Sequence, residues 1–331
     1  MVESATAGRI NGEVKSRRGV LATVCGAHFL HDGISDSLYV LLPIWAQAFG
    51  LSYAEVGALR TAYSLSLAAF QMPAGVLAER VGERLPLAAG TIAAGAAFAL
   101  FSLAPGQMSL LALILLAGVG SAMQHPLASA LVSKAAGAGE RRSMLGIYNF
   151  SGDLGKMTIA FLMGILAGLI GWQAATASYG LTVVVAGAGI LAVLVALGAG
   201  ASAAKRKASV GGTSNAGATS GWGITNRIGF WSLSTIQVLD SLCRTCFLLF
   251  LPFMLLKKDA ATGTIGLALA LVFAGGAAGK LVCGLMADRV GVLRTVVITE
   301  GLTAALILLV AFAPLAAAVA ALPLLGVALN G

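Results

Sequence analysis

Charge is scarce in this sequence. Asp, Glu, Lys and Arg make up 10% of its 331 residues, against 58% hydrophobic residues, where a soluble domain carries roughly a quarter charged residues. With a mean hydropathy of +0.93, that excludes a soluble globular domain. Cysteine is scarce too. The four present, Cys25, Cys243, Cys246 and Cys283, all fall inside apolar runs, so no disulfide framework is implied. Cys243 and Cys246 form a CxxC, but no second Cys or His pair accompanies them to complete a tetrahedral metal site. They read as small buried packing residues. Polar and apolar residues do not alternate, which excludes a transmembrane barrel in practice. No zinc motif, no Ser/His dyad at suitable depth and no CaaX-type carboxylate pair is evident, which argues against an intramembrane enzyme. No cleavable signal peptide is evident either. Ser16-Arg17-Arg18-Gly19-Val20-Leu21 resembles a twin-arginine export signal, yet the apolar stretch that follows is broken by His28, His31 and Asp32. Orientation charges at the mouth of a first span explain it better.

What is abundant is long apolar sequence. Runs of about 20 residues, enough to cross a bilayer, can be drawn at roughly 20–42, 55–77, 86–104, 109–133, 143–169 and 174–197, and again at roughly 228–256, 263–286, 295–313 and 315–331. The 43 glycines suit helices that pack closely in lipid. A pattern also recurs 209 positions on: Gly75-Val76-Leu77-Ala78-Glu79-Arg80-Val81-Gly82 is answered by Gly284-Leu285-Met286-Ala287-Asp288-Arg289-Val290-Gly291, Pro43 by Pro252 and Gly57 by Gly266. The chain therefore reads as two related membrane halves. The expected division is a cytoplasmic tail over 1–18, a six-helix bundle over 19–198, a flexible Gly/Ser-rich cytoplasmic linker over 199–226, and a second bundle over 227–331. Residue 331 corresponds to Ala122, inside the fourth span, so the repeat implies a second half about two spans short.

The net charge of +8 has an address. With the N-terminus in the cytoplasm, the outside loops hold only Lys257 and Lys258, and the spans hold Arg60, Lys156, Arg244 and Lys280. Every other Lys and Arg falls inside, which gives a cytoplasmic N-terminus by the positive-inside rule. The basic surplus is not a nucleic-acid signal.

Ionisable residues inside the spans mark the candidate chemistry. His28, His31, Asp32 and Asp36 crowd the first span. At helical spacing they share one stripe, with Asp32 about 18 Å from the entry near Val20 and Asp36 about 24 Å. A satisfied polar cluster that fixes helix packing and a protonation site with substrate contact both fit. Histidine suits the second because it titrates near neutral pH. Asp240 and Arg244 lie one turn apart in the seventh span, Asp240 matching His31 under the repeat; an i,i+4 ion pair and an anion contact both fit. Asp153 and Lys156 share a face of the fifth span, with Tyr148 and Asn149 toward the cytoplasm, and read equally as a structural bridge or a functional pair. Lys280 matches Gln71 and can either face a cavity or snorkel. Pro126 opens the backbone ladder of the fourth span, which either makes a plain hinge or exposes His125. Arg60 and Glu300 are expected to reach headgroups. Trp45, Trp172, Tyr39 and Tyr53 read as interface anchors.

These residues resemble the major facilitator superfamily. Gly75, Glu79, Arg80, Gly82 and Arg84 are similar to its signature between the second and third helices, and Gly284, Asp288, Arg289 and Gly291 to its echo in the second half. Gly75 and Gly284 are expected to permit close helix contact, and the acid and Arg to latch the cytoplasmic side through ion pairs. Asp288 and Arg289 would face the end of the fifth helix, and Glu79 a helix of the second half beyond this sequence. Glu79 replaces the usual Asp. Within the superfamily the chain is most similar to fosmidomycin-resistance-type efflux permeases, through His28-Phe29-Leu30-His31-Asp32-Gly33, Gly50 to Gly57, His125-Pro126, Gly152-Asp153-Leu154-Gly155 and Leu329-Asn330-Gly331. Asp153 and Lys156 stand where that likeness implies uncharged residues, and no Gly-Pro antiporter signature occurs between Gly152 and Gly168.

The resemblance implies an all-α polytopic fold of two six-helix bundles, with about ten of twelve helices present. It implies a proton-coupled transporter working by alternating access, an exporter by preference, in the cell membrane and on the pattern of a bacterial inner membrane. Asp32 or Asp36 would take the proton, tuned by His28 and His31. Arg244, Lys156 and Lys280 would meet an anionic or amphipathic substrate. A small-molecule substrate, a monomer in the bilayer, the proton gradient as energy source and no bound cofactor or metal complete the expectation. An uptake symporter of the same fold and a non-transporting membrane sensor are the alternatives.

Overall fold

In the computed structural model, residues 2–137, 139–201 and 227–330 are described, the side chains of 2–13, 15 and 330 apart. Among them the chain is all helix and turn. The elements are α1 (Val2–Phe49), α2 (Tyr53–Val81), α3 (Arg84–Leu100), a short 3₁₀ turn (Phe101–Leu103), α4 (Gln107–Ala122), α5 (Gln124–Ala135), α6 (Arg141–Ile170), α7 (Trp172–Ala196), α8 (Arg227–Leu256), α9 (Thr262–Val290), α10 (Val292–Phe312) and α11 (Leu315–Asn330). Since α4 and α5 are two pieces of one span, these elements make ten membrane segments. The break at Met123 comes one turn before Pro126, because proline cannot donate the N–H that would bond back into that turn. Residues read as a tail are helical from Val2 and continuous with the first span. Most of the expected linker, 202–226, lies outside the described residues.

Seven helices are long and apolar enough to cross a membrane. In α1 and α2, His28, His31, Asp32, Asp36 and Arg60 are instead buried in the molecule's interior. The sequence repeat is visible as matching helix ends. Gly82 and Gly291 stop α2 and α9 with φ of 86° and 88°, a region glycine enters without steric cost. Each returns its N–H to the carbonyl four residues back, on Ala78 and Ala287. Pro43 and Pro252 sit inside α1 and α8.

Close approach depends on particular glycines. A methyl group on Gly155 of α6 would strike the Phe29 carbonyl of α1, so the helix carrying Asp32 lies backbone to backbone against the one carrying Lys156. The two bundles meet through α6 and α9, where a Cβ on Gly164 would lie 2.7 Å from the Gly266 Cα. The Tyr53 ring meets Phe250 and Phe253 of α8 edge-on at 5.9 and 5.3 Å. One core runs through both bundles at this end. Toward the other end the second bundle's faces open: Phe247 to Leu249 of α8 are buried, whereas Ile228, Leu233 and Leu242 are exposed.

Several expectations are corrected here. Trp45 is fully buried, packing on Phe101 and Trp172, and Tyr39 is 2% exposed; neither anchors at an interface. Cys243 and Cys246 are exposed rather than buried, since α8 turns them away from its packed face. A Cβ on Gly75 or Gly284 would meet nothing within 4 Å, so neither mediates close helix contact in this conformation.

Candidate functional site

A cavity of about 360 Å³ lies between the bundles. α1 contributes Asp32, Ser35, Asp36 and Tyr39; α2 contributes Arg60, Tyr63, Ser64 and Leu67; His125 enters from α5, and Asp153 and Lys156 from α6. The second bundle supplies Arg244, Thr245 and Leu248 of α8, and Phe273, Gly276, Ala277 and Lys280 of α9. Its lining therefore holds four cations against three carboxylates, His125 apart.

Asp32 is the hub. It is buried, and its carboxylate has His28 Nε2 at 3.3 Å, Lys156 Nζ at 3.3 Å and His125 Nε2 at 3.8 Å. A buried carboxylate needs such partners, because leaving its charge uncompensated costs several kcal/mol. Behind it, His28 Nδ1 lies 2.8 Å from the Tyr148 carbonyl. A carbonyl can only accept, so Nδ1 carries a proton and Nε2 is the nitrogen that faces the Asp32 carboxylate. The ring stacks on Tyr148 at 4.2 Å and meets His125 edge-on at 5.2 Å. Gln124 donates to the Tyr148 hydroxyl at 2.9 Å, fixing that platform.

Lys156 also reaches Asp153 at 3.6 Å, and Lys280 crosses from the second bundle to the same carboxylate. Asp153 thus ties α6 to α9 across the cavity, and Lys280 makes this bridge rather than snorkelling away. Arg60 is the largest correction. It does not reach headgroups; it is 8% exposed and donates to the Ser35 carbonyl at 3.0 Å and the Tyr39 hydroxyl at 2.9 Å. Its guanidinium lies 4.3 Å from the centroid of the Tyr39 ring and 5.4 Å from that of Tyr63, so Tyr39, read as a membrane anchor, and Tyr63 make its cage. A lone Arg a turn into an apolar span gave no sequence signal apart from its charge.

His31 is turned the other way. Thr91 donates its hydroxyl to the Leu87 carbonyl, so the 2.9 Å contact with His31 Nε2 is a bond from the ring N–H; Ser121 Oγ lies 3.3 Å from Nδ1. His31 pins α1 to α3 and α4 and does not line the cavity. Asp240 lies outside the lining as well, while Arg244, one turn on, is part of it.

At the helix ends, Glu79, Asp288 and Arg289 are exposed, and Asp288 and Arg289 make no ion pair among the described residues. The acid held at this end is Glu83, buried and paired with Lys134, while the Arg84 N–H donates to the Gly200 carbonyl at 3.2 Å. Glu83 and Lys134 thus form a bond within the first bundle at this end. Glu83 is one residue past the repeated motif, which is why the repeat did not single it out.

As possible metal ligands, His28, Asp32 and His125 bring their donor atoms within 4.8 Å of one another. Lys156 already supplies the positive charge that this carboxylate needs, so an ion-pair network describes the cluster better than a cation site.

Comparison with known proteins matches residues 24–234 to the family described as Major Facilitator Superfamily. An uncharacterized MFS-type transporter of Methanocaldococcus jannaschii is 26% identical over 131 residues, 40% of this chain and 34% of that protein. The major facilitator superfamily multidrug transporter mfsC of Aspergillus fumigatus is 31% identical over 156 residues, 46% of this chain and 30% of that one. The matches span about a third of these relatives' length. Among solved structures, a bacterial homolog of the human lysosomal transporter Spinster, inward-facing and unoccupied, superposes with a TM-score of 0.74 at 18% identity. That match covers 95% of this chain and 73% of that one. A bacterial Spinster homolog in an inward-facing, occupied form gives 0.69 at 21% identity, with the same coverage. At these identities the likeness is one of fold.

Proposed function

The chain belongs to the Major Facilitator Superfamily, and from that premise we propose that it carries a small molecule across a membrane by alternating access, driven by protons. The observation that carries this reading is the cavity between the bundles, where Asp32 is held among His28, His125 and Lys156. A carboxylate or imidazole that exchanges a proton there changes the charge facing the substrate. Asp32 and Asp36 are the proton acceptors, and Arg244, Lys156 and Lys280 meet the substrate. The protein acts as a monomer in the cell membrane with its N-terminus in the cytoplasm, needs no cofactor or metal beyond the proton gradient, and has no nucleic-acid partner.

Export is supported by the fosmidomycin-resistance-type motifs and by the multidrug relative's name. A second reading, uptake with protons, is favoured by the surplus of cations in the lining, which suits an anion better than a cationic drug. Proteoliposomes with an imposed pH gradient test the proposal. The expected result is substrate flux that dissipates the gradient and is lost in Asp32→Asn; flux indifferent to both would sink it.

A further inference from the structure

Asp36 stands apart from the other carboxylates of the cavity. Asp32 and Asp153 each hold a lysine. Asp36 is buried at 7% exposure, lines the same space, and makes no hydrogen bond or ion pair among the described residues. The charged and titratable groups around it are Asp32 and Tyr39 on its own helix, Arg60 and Tyr63 on α2, Lys156 on α6 and Arg244 on α8. A second observation comes from the donors. The buried Arg60 Nε has no hydrogen-bond partner, and neither has the Tyr63 hydroxyl, which lies near Ser35 and Ser121. This wall of the cavity offers positive charge and unspent donors, and Asp36 is the one lining carboxylate without a partner among the described residues.

Resting on the transport reading above, we propose that this wall binds a small oxyanion, of carboxylate, sulfate or phosphate type, together with a proton on Asp36. While Asp36 is ionised it offsets the surrounding cations and repels an incoming anion. A proton arriving from water onto its carboxylate removes that repulsion, leaves four cations facing two carboxylates, and provides an O–H that can donate to the oxyanion. Anion and proton therefore strengthen each other's binding, and linkage makes the effect reciprocal. A cationic substrate would show the opposite sign, since it would need ionised Asp36 and be expelled by the proton. The sign of this coupling separates co-transport of anion and proton from proton-for-substrate exchange. The cavity sits at the small end of ligand pockets, which favours a compact anion.

Calorimetric titration of the purified chain tests this, using pyruvate, lactate and sulfate, whose own charge stays constant between about pH 5.5 and about pH 8. Two buffers of different ionisation heat report the protons taken up. At least one of these anions is expected to bind about tenfold or more tightly at the lower pH, with net uptake of about one proton. Asp36→Asn should bind it at the higher pH as wild type does at the lower, without a pH slope. Arg60→Gln should weaken binding at both. Proton release on binding, affinity that rises with pH, or a folded protein that binds none of the three would overturn the proposal. Wild-type proton uptake decides whether anion and proton bind together even if the variants do not fold, and Asp36→Asn assigns the proton. In proteoliposomes, binding of the pair without flux would refute the transport reading and leave co-binding standing. Anion flux with protons moving the opposite way would do the reverse.

Discussion

The two halves place the same repeat positions on the cavity and fill them with different chemistry. Ser35 and Arg244, Asp36 and Thr245, Tyr39 and Leu248, Ser64 and Phe273, Leu67 and Gly276 are each 209 apart, and all ten line the space. Repetition therefore reaches beyond helix ends to the register of side chains facing the cavity. Yet the first half presents acids, hydroxyls, His125, Arg60 and Lys156, whereas the second presents mostly apolar residues with Thr245 and two cations. Asp32 corresponds to Ser241, Arg60 to Leu269 and Tyr63 to Val272. The buried ionic network belongs to one bundle, and the other offers a mostly apolar wall with Arg244 and Lys280 set into it. Backbone geometry is shared, and function is carried by the departures from symmetry.

That contrast can be broken most severely at Asp32. Asp32→Asn should reduce pH-driven flux to background and cost about 1–3 kcal/mol of stability, whereas Ser241→Ala at the matching position should leave both near wild type. Parallel flux and thermal-unfolding assays check the pair, and equal losses at the two sites would erase the asymmetry. His31→Leu comes next. It strands Thr91 and Ser121, so stability should fall by about 1–3 kcal/mol while protons moved per substrate stay unchanged; an altered ratio would return His31 to the coupling machinery.

Glycine gives a cleaner comparison because the chemistry of the substitution is identical. Gly266→Ala forces a Cβ to 2.9 Å from the Gly164 Cα and should cost about 1–3 kcal/mol by overpacking. Gly57→Ala, its counterpart with open space around it, should gain about 0.5–1 kcal/mol from helix propensity. Opposite shifts in melting temperature are the signature. The smallest effect is expected at the Asp153–Lys280 pair between the bundles. Lys280 is half exposed, so a double-mutant cycle should return about 0.2–1 kcal/mol, falling with added salt.

The sequence reveals the architecture well because apolar length, Pro43/Pro252 and Gly82/Gly291 are local signals that survive without tertiary context. Asp32, Asp36, His125, Asp153, Lys156, Arg244 and Lys280 are likewise legible, since charge inside an apolar span is rare enough to stand out. Direction is harder to read. His31 and Asp32 are adjacent in sequence yet point to different neighbours, as 100° of helix rotation separates them. Arg60 shows the same limit, because its depth along α2 says nothing about the carbonyl of Ser35 or the ring of Tyr39 on another helix. Tyr39 and Trp45 were misjudged on residue type, aromatic anchors being distinguished from aromatic core only by what packs against them.

The contact between Gly164 and Gly266 joins the bundles backbone to backbone, with no side chain of its own at the crossing. A seal of that kind carries no formal charge, so neither pH nor ionic strength has a handle on it. Opening that end loses dispersion contacts alone, a loss that is the same whatever the cargo. The decision to open then lies with the charged interior, and the barrier stays blind to the cargo that it releases.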